Sequence, residues 1–432
     1  MVHFHTENKT FAMVSISTTG ARSMLSGALF GAAITAAGVY SPTVIISQMK
    51  LESFHMLKVF LSASATSAAI FFVAHRLSPS LAPPRQPSSL SLFPYDGNLI
   101  GGLLLGIGMS LTGACPGTVL PQIVTGYRSG RFAFLGGIIG GILYSKIRPF
   151  IRRSETTCPI TKDPKPTLYQ KLDPKADEIK AVYIYQNFCW GIILLASWLS
   201  KSQEQSLLSP TWGGICIGGA QGASLWLTGN TLGTSTAYEQ LGDLFWWWVG
   251  RIRGEDGKSL TSTSTSTSTS TSTSTLKSYE NGNGNVNGHA NLNGNGNGNS
   301  AALINGNGTA LSNGNGHAAP KSPHPPTPTQ PPRPSIRSNL FTLGILLGSY
   351  LLSHTLTLPS PFPSTSLDTP RIPEISILRA LIGGIAMVFG ARIAGGCTSG
   401  HGISGMSLLS VSSIISVGAM FGGGIAWGVL GV

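Results

Sequence analysis

Nine apolar runs of about 15–21 residues recur along this 432-residue chain, at 21–39, 56–75, 98–114, 131–148, 186–200, 212–229, 338–354, 376–396 and 412–431. Crossing a bilayer as an α-helix takes roughly 20 apolar residues, so each run is of spanning or near-spanning length. Shorter apolar stretches at 42–52, 116–127, 232–242 and 398–410 read as half-helices or re-entrant segments. Broken backbone at membrane depth is tolerated only where it is buried in protein or lines a cavity. The expected fold is an all-α polytopic membrane protein with about nine membrane helices plus short broken or re-entrant helices. Charge agrees: 10% of the residues are charged, against about 25% in a soluble domain.

The glycines repeat in register. Gly101, Gly102, Gly108, Gly113 and Cys115 recur at one constant offset as Gly383, Gly384, Gly390, Gly395 and Cys397, and the same offset carries Gly140 and Gly141 onto Gly422 and Gly423. A weaker match relates Gly27, Gly31, Gly38 and Pro42 to Gly218, Gly222, Gly229 and Gly233. Two pseudo-symmetric halves are expected, the plan of many transporters, with the substrate site where the repeats meet. After an N-terminal tail (1–19), the first half is 20–148. The second comes in two parts, 186–250 and 338–432.

Between them lie two polar tracts. The loop 149–185 is basic, with nine Lys or Arg against five Asp or Glu from Lys146 to Lys180. The tract 251–337 holds a Thr-Ser repeat, an Asn-Gly stretch and a Pro-rich stretch, flanked by Arg251, Arg253, Arg333 and Arg337. Such a composition cannot bury a core and is expected to be a disordered linker. Both 146–180 and 251–337 are assigned to the cytoplasm by the positive-inside rule. The net charge of +12 sits in such loops without interleaved aromatics, which speaks for membrane orientation rather than nucleic-acid binding.

Chemistry concentrates in two motifs, Leu111–Gln122 (LTGACPGTVLPQ) and Ala391–Gly405 (ARIAGGCTSGHGISG). Each follows an apolar helix and precedes a short apolar stretch. Pro116 after Cys115 suits the first turn of a new helix, and Thr398 or Ser399 is expected to cap the helix after Cys397. Each cysteine then sits in a break beside a helix N-terminus, whose free N–H groups and dipole favour anions. Glycine permits the unusual backbone angles and close ligand approach such a break needs. A thiol is polarizable and uncharged, so it contacts a sulfur atom without the tight grip of a fixed cation. The candidate substrate path is Gly113, Cys115, Pro116, Gly117, Thr118, Gly396, Cys397, Thr398, Ser399, Gly400 and His401.

Other residues carry two readings each. His401 is either a proton or anion contact or a cap-region residue bonded to backbone. Arg392, inside an apolar run, is either a functional cation or a snorkelling or carbonyl-capping residue. Gln122, Gln221 and Asn230 fit helix–helix hydrogen bonding. Cys189 and Cys216 fit packing, with Cys216 alternatively lining the path; Cys158 is incidental. Trp246–Trp248 fits an interfacial belt.

The GACPGT segment at 113–118 and AGGCTSGHGISG at 394–405 resemble the glycine-cysteine signatures of the YeeE/YedE family of sulfur-compound transporters. The resemblance implies helical pseudo-symmetric halves pinched by short helices, and uptake of thiosulfate or a related sulfur anion relayed between cysteines. Cys115 and Cys397 carry over; a third cysteine near the first helix does not, because Gly27–Pro42 has none. The low-complexity tracts are foreign to compact bacterial members. They suggest a eukaryotic, fungal-like chain with the plasma membrane as its location.

The expected function is a permease for a small sulfur-containing anion, not an enzyme, with no cofactor and no metal. Its partners are that anion and the lipid bilayer, with no nucleic acid and with room for a cytosolic sulfur-accepting protein. The alternative is a membrane sulfur-relay or thiol redox protein forming persulfide or disulfide intermediates at Cys115 and Cys397. A metal site built from Cys115, Cys397 and His401 is a third reading, set against the tighter ligand motifs of known sites.

Overall fold

The computed structural model describes residues 4–78, 81–155, 166–172, 177–199, 206–253, 337–356 and 375–431, with the backbone alone over 4–17 and 152–155. Cys158 and nearly all of the 251–337 tract lie outside the described residues. The unit formed by Met1–Lys258 and Arg333–Val432 is all-helical among its described residues. The helices are α1 (Phe4–Ala36), α2 (Pro42–Met49), α3 (His55–Leu77), α4 (Asp96–Thr112), α5 (Val119–Val124), α6 (Arg128–Glu155), α7 (Leu168–Leu172), α8 (Glu178–Leu199), α9 (Pro210–Thr228), α10 (Ser235–Ile252), α11 (Arg337–Thr355), α12 (Ile377–Ile393) and α13 (Val411–Leu430). A π-helix, Thr398–Gly405, lies between α12 and α13.

Four helices among the described residues are long and apolar enough to cross a membrane: α3, α6 over Arg128–Ile151, α8 and α13. The pair α12 and π-helix, bent by 44° at its break, makes a fifth. The remaining long helices fall short for local reasons. Helix α4 stops at 17 residues because Gly113 ends it, and α9 and α11 dilute their apolar residues with Gly, Ser, Thr, Gln and Asn. The 232–242 stretch, short by sequence, is the start of the 18-residue α10, which continues through Trp246–Trp248.

Glycine sets how closely the helices meet. Helices α1 and α11 run parallel, Gly20, Met24 and Ala28 lying beside Leu340, Gly344 and Gly348. A Cβ at Gly31 would overlap the Ile345 carbonyl, and one at Gly348 the Ala28 carbonyl. Helix α3 runs parallel to α9, with Gly214 and Gly218 against Ser62 and Thr66. Helix α4 lies between α12 and α13, Gly108 against Met387 and Gly106 against Met420. Helix α12 also packs on α6, and α10 on α6, α11 and α12. The short α5 abuts α11, and the π-helix abuts α3. Small residues that bring backbones into contact replace the hydrophobic driving force that lipid removes.

Besides Gly126 after α5, four glycines end helices in the left-handed conformation: Gly38 (φ +73°), Gly113 (φ +60°), Gly229 (φ +68°) and Gly395 (φ +83°). These are the positions paired by the sequence repeat. Only glycine takes this conformation without steric penalty. A strap, residues 81–95, leads from α3 to α4. The Asp96 carboxylate holds it by accepting from the N–H groups of Leu90 (2.6 Å) and Leu92 (2.7 Å).

Candidate functional site

The first break is a closed turn. Cys115 N–H donates to the Thr118 hydroxyl (2.8 Å), and Thr118 N–H and hydroxyl both lie 3.4 Å from the Cys115 sulfur. The Pro116 carbonyl accepts from the Tyr238 hydroxyl (3.2 Å). Gln122 pins the turn from α5, its amide donating to the Gly113 and Tyr40 carbonyls at 2.8 Å each. Gly113 itself is seated on Pro42, which leaves no room for a side chain there.

The second break is richer in donors. The hydroxyls of Thr234 and Ser399 each lie 3.3 Å from the Cys397 sulfur. Cys397 is the N-cap of the π-helix, in extended conformation. Thr398 and Ser399 do not cap that helix as expected. Thr398 instead donates to the sulfurs of Met109 (3.5 Å) and Met420 (3.6 Å), while Ser399 turns to Cys397. In the first break the N–H groups of Cys115 and Thr118 are not free for a ligand, since the Thr118 hydroxyl and the Cys115 sulfur occupy them.

The two breaks meet. Cys115 and Cys397 are both buried, belong to one apolar cluster with Tyr238, and lie within electrostatic reach of each other. Thr234 joins them: a Cβ at Gly117 would stand 3.6 Å from its hydroxyl and 3.9 Å from the Cys115 sulfur. A narrow, largely apolar cavity of about 60 Å³ is lined by Cys115, Gly117 and Thr118 from one motif and by Thr398 and Ser399 from the other. Gly396 and Gly400 pack against the guanidinium of Arg85.

His401 is pinned away from this cavity's lining. Its Nε2 donates to the Ala394 carbonyl (3.0 Å) and its Nδ1 faces the Ser413 hydroxyl at 2.9 Å. A carbonyl only accepts, so the tautomer is fixed and both nitrogens are engaged. This is the backbone-bonded role, and it withholds the ring from a metal. Among the described residues no group of three or more His, Cys, Asp or Glu could hold one.

Arg392 neither snorkels nor caps carbonyls. It forms a buried ion pair with Glu239, which also accepts from Arg148 (2.5 Å). The same arginine reaches the hydroxyls of Ser235 (3.4 Å) and Thr236 (3.5 Å), so α12 is tied to α10 just beyond Thr234. Gln221 does bond between segments, accepting from Ser404 (2.7 Å) and Leu232 N–H (3.2 Å). Asn230 makes only a local turn, to the Thr228 carbonyl at 2.9 Å. Cys189 is buried between α8 and α3, whereas Cys216 is exposed on α9 and lines neither cavity.

Thr234, Tyr238, Glu239 and Arg85 do not stand out in the sequence. Glu239 has a signal: an arginine within an apolar run needs a buried acid, and Glu239 and Asp243 are the acids of the neighbouring apolar helix. Arg85 sits in a Pro-rich loop that carries no periodic pattern.

The sequence model of the sulphur transport family matches residues 36–426. The chain belongs to the sulphur transport family. The likeness of its two motifs to YeeE/YedE proteins is thereby borne out, and the match runs from the end of α1 to within α13. No curated protein matches it. As a member of this family the chain is an integral membrane protein that transports a sulfur compound, and its membrane-length apolar helices agree.

Proposed function

We propose that this sulphur transporter is a permease for thiosulfate or a closely related sulfur anion, which passes from one cysteine to the other through the joined breaks. The observation that carries this is the shared lining: Cys115, Gly117 and Thr118 of the first motif and Thr398 and Ser399 of the second border one cavity. Thiols and hydroxyls there offer polarizable sulfur and neutral donors. A small anion can lean on several such contacts without being trapped, as conduction requires.

Two pseudo-symmetric halves and nine crossings belong to the same proposal. Exchange α1 with α9, α2 with α10, α3 with α11, α4 with α12, α5 with the π-helix and α6 with α13, and the packed pairs map onto one another. Thus α3 on α9 becomes α11 on α1, and α4 on α13 becomes α12 on α6. The crossings are α1, α3, α4 with α5, α6, α8, α9, α11, α12 with the π-helix, and α13. Parallel α1 and α11, parallel α3 and α9, and antiparallel α3 and α8 support this alternation. The 146–180 loop and Arg22, Arg76 and Arg337 then share one face, which the positive-inside rule makes cytoplasmic, and the plasma membrane is the proposed location.

Uptake of radiolabelled thiosulfate by cells lacking their own route, beside sulfate, sulfite and selenite, tests the function. Wild type should accumulate thiosulfate; Cys115→Ala and Cys397→Ala should abolish uptake while folding normally. Uptake that survives both substitutions refutes passage between the cysteines. A trapped persulfide on either residue replaces transport by sulfur-relay chemistry.

A further inference from the structure

A second, larger cavity of about 320 Å³ opens beside the second break, and it is polar. Two guanidinium side chains line it, Arg85 from the strap and Arg337 from the start of α11, together with Asn230, Thr231, Thr236 and Gln240. None of the described residues that line it is acidic. Arg392, the other arginine near this break, is neutralised by Glu239, but Arg85 has no acidic partner among the described residues. A guanidinium in a polar pocket without a carboxylate is a site for a diffusible anion.

Arg85 is held in place with care for its direction. Its carbonyl accepts from the hydroxyls of Ser410 (2.8 Å) and Ser412 (2.9 Å), and its Nη1 donates to the Gly395 carbonyl (3.2 Å). Cβ atoms at Gly396 and Gly400 would stand 3.1 Å and 3.0 Å from its Nη1 and Nη2. Those two glycines therefore make the slot in which the guanidinium lies. The contacts with Gly395, Gly396 and Gly400 set it beside the segment that carries Cys397. The cavity lies close to the Cys397 sulfur, because Gly233 and Thr236 line it and Thr234, between them in sequence, touches Cys397.

We infer that this cavity, on the Arg337 face, is an anion vestibule in which Arg85, assisted by Arg337, binds the oxyanion end of the substrate while its sulfur end rests at Cys397. This deepens the proposed function and rests on it. Guanidinium and thiol divide the recognition: the planar fork matches a sulfonate-like group, and the thiol meets the terminal sulfur. A fixed cation is thus present after all, but displaced from the narrow passage, where it would hold a dianion too tightly. Sulfate shares the oxyanion end and lacks the terminal sulfur, so it should occupy the vestibule without passing.

The test is binding of radiolabelled thiosulfate to the purified full-length protein, beside transport in proteoliposomes. Arg85→Gln should weaken binding tenfold or more and Arg85→Lys by less; Arg337→Gln should weaken it severalfold. Cys397→Ala should weaken thiosulfate binding, leave sulfate binding as in wild type, and transport nothing. Sulfate should compete for binding. Wild-type transport with binding unchanged in Arg85→Gln and Arg337→Gln, or binding that sulfate does not displace, overturns the vestibule and leaves the permease standing. Absence of both binding and transport in wild type instead overturns the permease. Should Arg85→Gln not fold, Arg337→Gln and sulfate competition on wild type decide.

Discussion

The Thr234 hydroxyl lies 3.3 Å from the sulfur of Cys397, although 163 residues separate them in sequence. Thr234 stands at the start of α10, in the break opened by Gly229, and Gly117 faces it from the other motif. One side chain therefore connects three of the four glycine-ended breaks. Replacing Thr234 by Val keeps the shape and removes the hydroxyl. A hydrogen bond of this kind contributes about 0.5–1.5 kcal/mol. Uptake of labelled thiosulfate should fall roughly two- to thirteenfold by that energy, with the unfolding temperature nearly unchanged.

Glu239 is the counter-charge of both Arg392 and Arg148. Removing it leaves Arg392, 9% exposed at its side chain, without its acidic partner. Glu239→Gln should destabilise the protein by about 3–5 kcal/mol, as expected when one member of a buried pair is lost. The double variant Glu239→Gln, Arg392→Met should recover most of that loss, since an apolar replacement of the cation removes the stranded charge. Thermal unfolding in detergent separates the two outcomes.

Two helix glycines should respond oppositely to the same change. A Cβ at Gly348 would run into the Ala28 backbone, so Gly348→Ala must push α11 away from α1; overpacking of this kind costs about 1–3 kcal/mol. Gly219 on α9 has open space around its Cβ position. Gly219→Ala should be neutral or stabilising by up to about 1 kcal/mol through helix propensity. Parallel melting curves check both.

Deleting 261–330 should leave transport intact. Ser338 N–H donates to Gln240 (3.2 Å), so the distance to be bridged from Arg253 is about the rise of α10 beyond Gln240, roughly 20 Å. The thirteen residues left between Arg253 and Arg337 can reach roughly 43 Å when extended. Uptake per transporter at the cell surface is the measure.

Much of the scaffold is legible in the chain itself. Apolar runs locate the long helices, and the repeated glycines mark Gly38, Gly113, Gly229 and Gly395, all of which take positive φ. Glycine is informative there because no other residue sits comfortably in that conformation. Contacts made by ordinary residues across long separations leave no such trace. Thr234 looks like any threonine, and Arg85 lies in a loop whose path depends on hydrogen bonds to Asp96, Ser410 and Ser412. Capping by Thr398 fails because two methionine sulfurs compete for its hydroxyl.

Because α11 lies against α1 and α12 is wedged between α4 and α6, the last hundred residues are not an appendage. They complete surfaces that the earlier chain leaves bare. Two polypeptides divided within the Thr-Ser repeat and made in the same cell should therefore find each other and rebuild a working transporter, while either made alone should be degraded.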